Sequence, residues 1–149
     1  MVGDGPLRAR CEELARERRV PIRFTGFLNQ SQIIKAYVVS DALVLPSGET
    51  WGLVVNEAMA CARPCIVSDQ VGCGPDLVIP QKTGAVFPLG DVDALANSIL
   101  QLAGNPERMI SMGIDARSRL MSYSVERAVD GIVESLAATL EPRVFHANA

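Results

Sequence analysis

The 149-residue chain is 48% hydrophobic and 21% charged with a formal net charge of -3, which excludes a disordered or fibrous protein and argues against a nucleic-acid partner. No stretch approaches the roughly 18 to 20 apolar residues that span a bilayer, and the N-terminus lacks the layout of a signal peptide, so a soluble, cytoplasmic protein is expected. The length suits one domain, and with aromatics at only 5% its core is expected to be aliphatic.

The start is abrupt. Met1 and Val2 lead straight into the turn Gly3-Asp4-Gly5, leaving almost no length for a strand that enters it. This predicts a piece of a larger protein, with Met1 internal to the parent chain or added to the piece. The residues through Arg19 then read as an amphipathic helix, with Glu12 and Arg16 spaced for an i,i+4 pair. Residues 21–26 read as a short strand ending at Gly26, and residues 31–40 as a helix with Ser31 as its N-cap.

Residues 41–47 form a brief apolar run closed by Pro46, which predicts a strand buried on both faces. A helix beginning near Trp51 or Gly52 follows. Residues 63–69 read as another buried strand, 74–79 as a short helical turn and 83–89 as a last strand. Between 91 and 105, Ala94, Leu95, Ile99 and Leu102 recur at helical spacing, with Asp91 at the start and Gly104 at the end. Pro106 opens a helix running to about Tyr123, and Ser124 caps another to about Leu140. Strands alternating with helices in this way imply a parallel sheet covered on both faces: an α/β, Rossmann-like, doubly wound domain over residues 1–140, followed by a tail, 141–149.

The four cysteines, Cys11, Cys61, Cys65 and Cys73, lack the paired short spacings of a zinc site and read as small core residues. A site built from Cys61, Cys65 and Cys73 would lack a fourth ligand, because the single histidine, His146, lies in the tail; no metal site is expected. Gly3-Asp4-Gly5 does not complete a dinucleotide fingerprint, since Arg8 holds the third glycine position.

In open sheets of this kind, ligands bind beyond the carboxyl ends of the strands. Three loops qualify: Gly3-Asp4-Gly5, Gly26-Phe27-Leu28, and Ser47-Gly48-Glu49-Thr50-Trp51-Gly52. The third is the most informative. Its glycines permit close approach, and the helix behind it offers unpaired N–H groups to an anion. Glu49 precedes that helix, whereas Glu57 lies inside it among Val54, Val55, Ala58, Met59, Ala60 and Cys61, a setting that looks like core and in which a carboxylate needs a partner. At about 1.5 Å rise per residue, the two carboxylates lie roughly 8 to 12 Å apart. That is too far for one atom to be served by both, but it matches the two ends of a nucleotide-sugar whose diphosphate rests on the helix tip.

The stretch Pro46-Ser47, Glu49, seven intervening residues, Glu57 and Ala58-Met59-Ala60 resembles the nucleotide-binding half of the GT-B retaining glycosyltransferases of the large group 1, family 4-like class. That class includes bacterial lipopolysaccharide and mannosyl transferases and relatives of sucrose and glycogen synthases. Gly3-Asp4-Gly5-Pro6, Phe24-Thr25-Gly26 and the loop from Gly72 to Asp76 follow in the family's order, and the likeness extends to about residue 104.

The resemblance implies the C-terminal, donor-binding domain of a GT-B enzyme that transfers a sugar, with retention, from a UDP-, GDP- or ADP-sugar and without an obligatory metal. Glu49 would be catalytic and contact donor-sugar hydroxyls, and Glu57 would hold the ribose. The backbone of Thr50, Trp51, Gly52, Leu53 and Val54 would meet the diphosphate or sugar, the loop at Gly26 and Phe27 would border the base, and Gly3 would also belong to the donor site. Partners implied are the nucleotide-sugar and a separate N-terminal acceptor-binding domain, with room for membrane association of the full-length protein. Upstream basic residues that grip the diphosphate in this family have no counterpart here, so weak or no transferase activity is expected of this chain alone. Ala62, Cys73 and Asp76 depart from the family's glycine, glycine and glutamate, and none is expected to touch the donor contacts. A nonenzymatic Rossmann-like binding module is the alternative, and Trp51 reads as packing before it reads as a base-stacking platform.

Overall fold

The computed structural model describes residues 1–140; the tail 141–149, with His146, lies outside the described residues. Three strands, β1 (Leu43–Leu45), β2 (Cys65–Ser68) and β3 (Gly84–Phe87), form a parallel sheet in the order β1-β2-β3, with Leu43 opposite Cys65 and Cys65 opposite Gly84. Around it lie α1 (Arg8–Glu17), α2 (Gln30–Val39), α3 (Leu53–Ala60), α4 (Gly74–Leu77), α5 (Val92–Ala103), α6 (Pro106–Leu120) and α7 (Val125–Leu140).

Strand β2 is central and buried at all four residues. Its alternating side chains divide the interior as a pleat requires. Cys65 and Val67 join Tyr37, Val55, Met59, Leu77 and Ala116 on one face, whereas Ile66 joins Phe87, Leu102 and Met112 on the other. Both faces are covered, and the core is aliphatic as composition implies. Cys65 and Cys73 are buried within it, while Cys11 and Cys61 are half-buried.

Side-chain caps set the starts of four of the seven helices among the described residues. The Asp91 carboxylate accepts the Ala94 N–H at 2.9 Å to start α5, and the Asn105 side chain accepts the Arg108 N–H at 3.0 Å with Pro106 at the first turn of α6. Ser124 starts α7 by accepting the Arg127 N–H at 3.3 Å. The predicted cap of α2 is corrected. Asn29, not Ser31, holds the N-cap, in a reciprocal box with Gln32. Asparagine with glutamine three residues on outcompetes serine, which instead donates to Asn29 Oδ1 at 2.8 Å.

Further corrections concern the first 45 residues. Residues 21–26 are not a strand; only an isolated antiparallel bridge joins Gly3 to Gly26, so neither glycine loop follows a strand. A strand needs a paired neighbour, and β1 pairs here with β2 alone, which leaves it at the edge with Val44 39% exposed rather than buried on both faces. In α1, Glu12 accepts from Arg8 Nε at 2.8 Å instead of pairing with Arg16, because Arg8 also reaches Asp4 at 3.2 Å and so anchors the turn before the helix.

At the far end of α3, the Arg63 N–H reaches Ala58 O and the Ala62 N–H reaches Met59 O, the double bond pattern of a Schellman stop. That stop needs a left-handed residue, and Ala62 supplies it at φ 56. A Cβ in this region costs about 1–2 kcal/mol, partly offset by the extra unfolded-state freedom of glycine. Ala62→Gly is therefore expected to raise the melting temperature by roughly 1–4 °C, measured by circular dichroism; an unchanged or lower midpoint would contradict the strain.

Candidate functional site

The loop between β1 and α3 is built by backbone pairing rather than by side chains. Beyond Leu45 the chain continues alongside the segment after β2. The Glu49 N–H donates to Gln70 O at 3.0 Å, the Gly72 N–H to Glu49 O at 2.9 Å and the Cys73 N–H to Trp51 O at 2.8 Å. The sheet pairing thus runs past its named strands, with a parallel bridge between Glu49 and Val71. Buried Ser68 adds a tie, donating through Oγ to Ser47 O at 2.7 Å and accepting the Gln70 N–H at 3.2 Å.

Two glycines make this possible for different reasons. Gly52, the N-cap of α3, lies at φ 98 and ψ 59, in the left-handed region. Gly72 has no unusual φ, yet a Cβ on it would sit 1.9 Å from Thr50 O. Backbone approach that close admits no side chain.

The result is an open helix tip. Val55 N–H turns back to Gly52 O at 2.9 Å, while the N–H groups of Leu53 and Val54 meet no acceptor among the described residues. They point a partial positive charge of the helix at whatever lies ahead of it. Glu49 stands in the loop, exposed, with Oε1 accepting the Ser47 hydroxyl at 2.8 Å. Glu57 lies in the second turn of α3. Its neighbours Val55, Ala58 and Met59 are buried as expected, but Glu57 itself is exposed, a correction to its core-like setting. Residue 57 falls on the outer side of a helix whose inner stripe is 55, 58 and 59. Its carboxylate does have a partner, since Tyr37 donates to Oε2 at 2.7 Å.

Trp51 is 37% exposed, and its indole N–H donates to Asn56 Oδ1 at 3.0 Å, which holds the ring across the first turn of α3. Gly3 and Gly26 are joined by the Gly3 N–H to Gly26 O bond at 2.9 Å, both with left-handed backbone, and Phe27 is 79% exposed nearby in sequence. Among the described residues, no hydrogen bond links this second cluster to the tip of α3.

Cys73, expected to stay clear of the donor contacts, lies under the tip: its Sγ is 3.8 Å from Gly52 O. Burial pushes its thiol pKa above the usual range, so a neutral group sits beneath the loop. Asp76 has a structural role that no local feature of the sequence marks. Its backbone carbonyl accepts from Arg119 Nε at 2.8 Å, and its carboxylate accepts the Tyr123 hydroxyl at 3.4 Å, tying α4 to the end of α6. Among the described residues, no cluster of three His, Cys, Asp or Glu side chains is placed to hold a metal ion, and no helix is long and apolar enough to cross a membrane.

A parallel sheet covered on both faces, with an open helix tip beyond the carboxyl end of its edge strand, is a Rossmann-like domain of the GT-B glycosyltransferase fold. The chain belongs to the family described as Glycosyl transferases group 1, which matches residues 1–105. It is 35% identical over 136 residues to the sulfoquinovosyl transferase of Arabidopsis thaliana, covering 88% of this chain and 26% of that protein. Among solved structures it is similar to the sucrose-phosphate synthase from Thermosynechococcus elongatus, with 29% identity and a TM-score of 0.76 over 93% of this chain and 38% of that one. The fold is shared with the Anabaena HepE protein solved with UDP and glucose, at 22% identity and a TM-score of 0.73, over 92% of this chain and 39% of that one. The chain therefore spans between a quarter and two fifths of the length of these relatives. Membership of an enzyme family weighs against a nonenzymatic binding module.

Proposed function

We propose that this chain is the donor-binding domain of a retaining glycosyltransferase and that its site is the tip of α3. The observation that carries the reading is the pair of unbonded N–H groups, Leu53 and Val54, behind left-handed Gly52, with exposed Glu49 before them in the chain and exposed Glu57 one turn after. A diphosphate accepts from such a tip, and charge that builds on it as the sugar departs meets fixed donors and a helix dipole in place of a metal. Glu49, its carboxylate oriented by Ser47, accepts from hydroxyls of the transferred sugar. Glu57 accepts from the ribose. The backbone from Thr50 to Val54 lies against the diphosphate, Gly26 and Phe27 border the base, and Gly3 belongs to the donor site beside them. The acceptor belongs to a separate N-terminal domain of the whole protein.

The chain carries its own probe. Trp51 is its single tryptophan and stands at the proposed site, so a change in its fluorescence reports binding directly. Titration with UDP, GDP and ADP is expected to give a saturable change for one of the three, with a rise in melting temperature that grows with ligand concentration. Glu57→Ala should weaken that nucleotide by roughly 10- to 100-fold, as loss of a hydrogen bond to a charged group does, while the free protein keeps its fold and melts only a few degrees lower, because the Tyr37 hydroxyl loses its acceptor. Silence toward all three nucleotides sinks the reading. So does a Glu57→Ala protein that loses its fold before its affinity.

A further inference from the structure

Tyr37 is 6% exposed, and its ring packs with Val55, Ala58 and Met59 in the larger core cluster. A buried phenol needs a partner for its hydroxyl. The partner it takes is unusual: the exposed carboxylate of Glu57, at 2.7 Å, the short length of a charge-assisted bond. Only one carboxylate oxygen is used. Oε2 is held, while Oε1 accepts no hydrogen bond among the described residues. A second hydrogen bond joins the same two helices. Arg63 Nη2, from the stop of α3, donates to Val38 O at 2.9 Å, so α2 is tied to α3 beyond the tyrosine.

We infer that Tyr37 is a positioning residue, whose hydroxyl clamps Oε2 of Glu57 so that Oε1 is presented, already oriented, to a vicinal diol of the bound nucleotide. The inference rests on the proposed role of Glu57 and adds the group that sets its geometry. A free glutamate on a helix surface samples many rotamers, and binding must freeze them; a clamp made during folding removes that cost from the binding step. Burial of the ring, and then the hydrogen bond to Glu57, raise the Tyr37 pKa above the ordinary phenol range, so the hydroxyl keeps its proton and remains the donor.

The test uses Tyr37→Phe, which keeps the ring and its packing. The 149-residue protein, Tyr37→Phe, Glu57→Gln and the double variant are each titrated, through Trp51 fluorescence, with UDP and with 2′,3′-dideoxy-UDP, or with the GDP or ADP pair if that base binds better. The parent protein is expected to prefer the ribonucleotide. Tyr37→Phe should shrink that preference by roughly three- to tenfold, leave affinity for the dideoxy form unchanged, and have no further effect once Glu57 is Gln. A tyrosine that merely supports the fold would weaken both nucleotides alike and lower the melting temperature. Full preference in Tyr37→Phe overturns the inference while leaving the role of Glu57 intact. A parent protein with no preference overturns the role of Glu57 itself, and the clamp with it. A Tyr37→Phe chain that cannot fold also overturns it, since the hydroxyl would then belong to the core.

Discussion

Gly72→Ala is expected to weaken nucleotide binding by roughly one to two orders of magnitude, an effect out of proportion to the single methyl group it adds. The methyl carbon would lie 1.9 Å from Thr50 O and 2.8 Å from Thr50 C, so backbone has to give way to backbone. No side-chain rotation relieves such a contact. The segment that moves holds the Gly72 N–H to Glu49 O and Cys73 N–H to Trp51 O bonds, and these set where Glu49 stands and where the tip of α3 begins. Because residue 72 is exposed, the sheet and its core need not move with it. Far-ultraviolet circular dichroism should therefore stay near that of the parent while the Trp51 titration shifts to much higher ligand concentration. Unchanged affinity would mean that the ladder between the two loops does not shape the site.

Much of this arrangement could be read before any coordinates, and the boundary of what could be read has a physical reason. Helices α5, α6 and α7 begin where Asp91, Asn105-Pro106 and Ser124 stand, because a capping side chain acts on N–H groups only two or three residues away. That Glu49 precedes α3 and Glu57 lies within it was legible, because both follow from where a single helix begins. Contacts between distant segments left weaker marks. The loop ladder is made of backbone groups, and its one trace in the sequence is the glycine at 72. Tyr37 and Glu57 are 20 residues apart, with nothing local in either segment to announce the pair. The strand expected at 21–26 is absent for a related reason: a short segment ending at a glycine suits a strand, but only a neighbouring strand can complete its hydrogen bonds. For Asn29 the local signal is the glutamine three residues on, which completes a capping box that Ser31 cannot form.

Gly113→Ala is the second large effect, and it links the fold to the site from the opposite end of α3. Gly113 is buried in α6, where a Cβ would stand 2.1 Å from Ala62 O and 3.5 Å from Pro64 Cδ. Two terms compete. Alanine favours the helix by about 1 kcal/mol over glycine, whereas forcing atoms into a packed contact costs about 3 kcal/mol or more when the obstacle is a carbonyl that cannot rotate away. The clash should win by about 2 kcal/mol, lowering the melting temperature by roughly 4–8 °C. The obstacle belongs to the Schellman stop, whose Ala62 is already strained at φ 56. With glycine at position 62 the turn can relax away from α6, so Ala62→Gly should recover more stability in the Gly113→Ala background than it adds to the parent protein. Thermal melts of the four proteins in that cycle measure the difference. Simple additivity would show that the two positions do not share the contact and that α6 yields elsewhere. A coupled result would make the stop of α3 the point at which α6 holds the helix whose other end is the proposed binding tip.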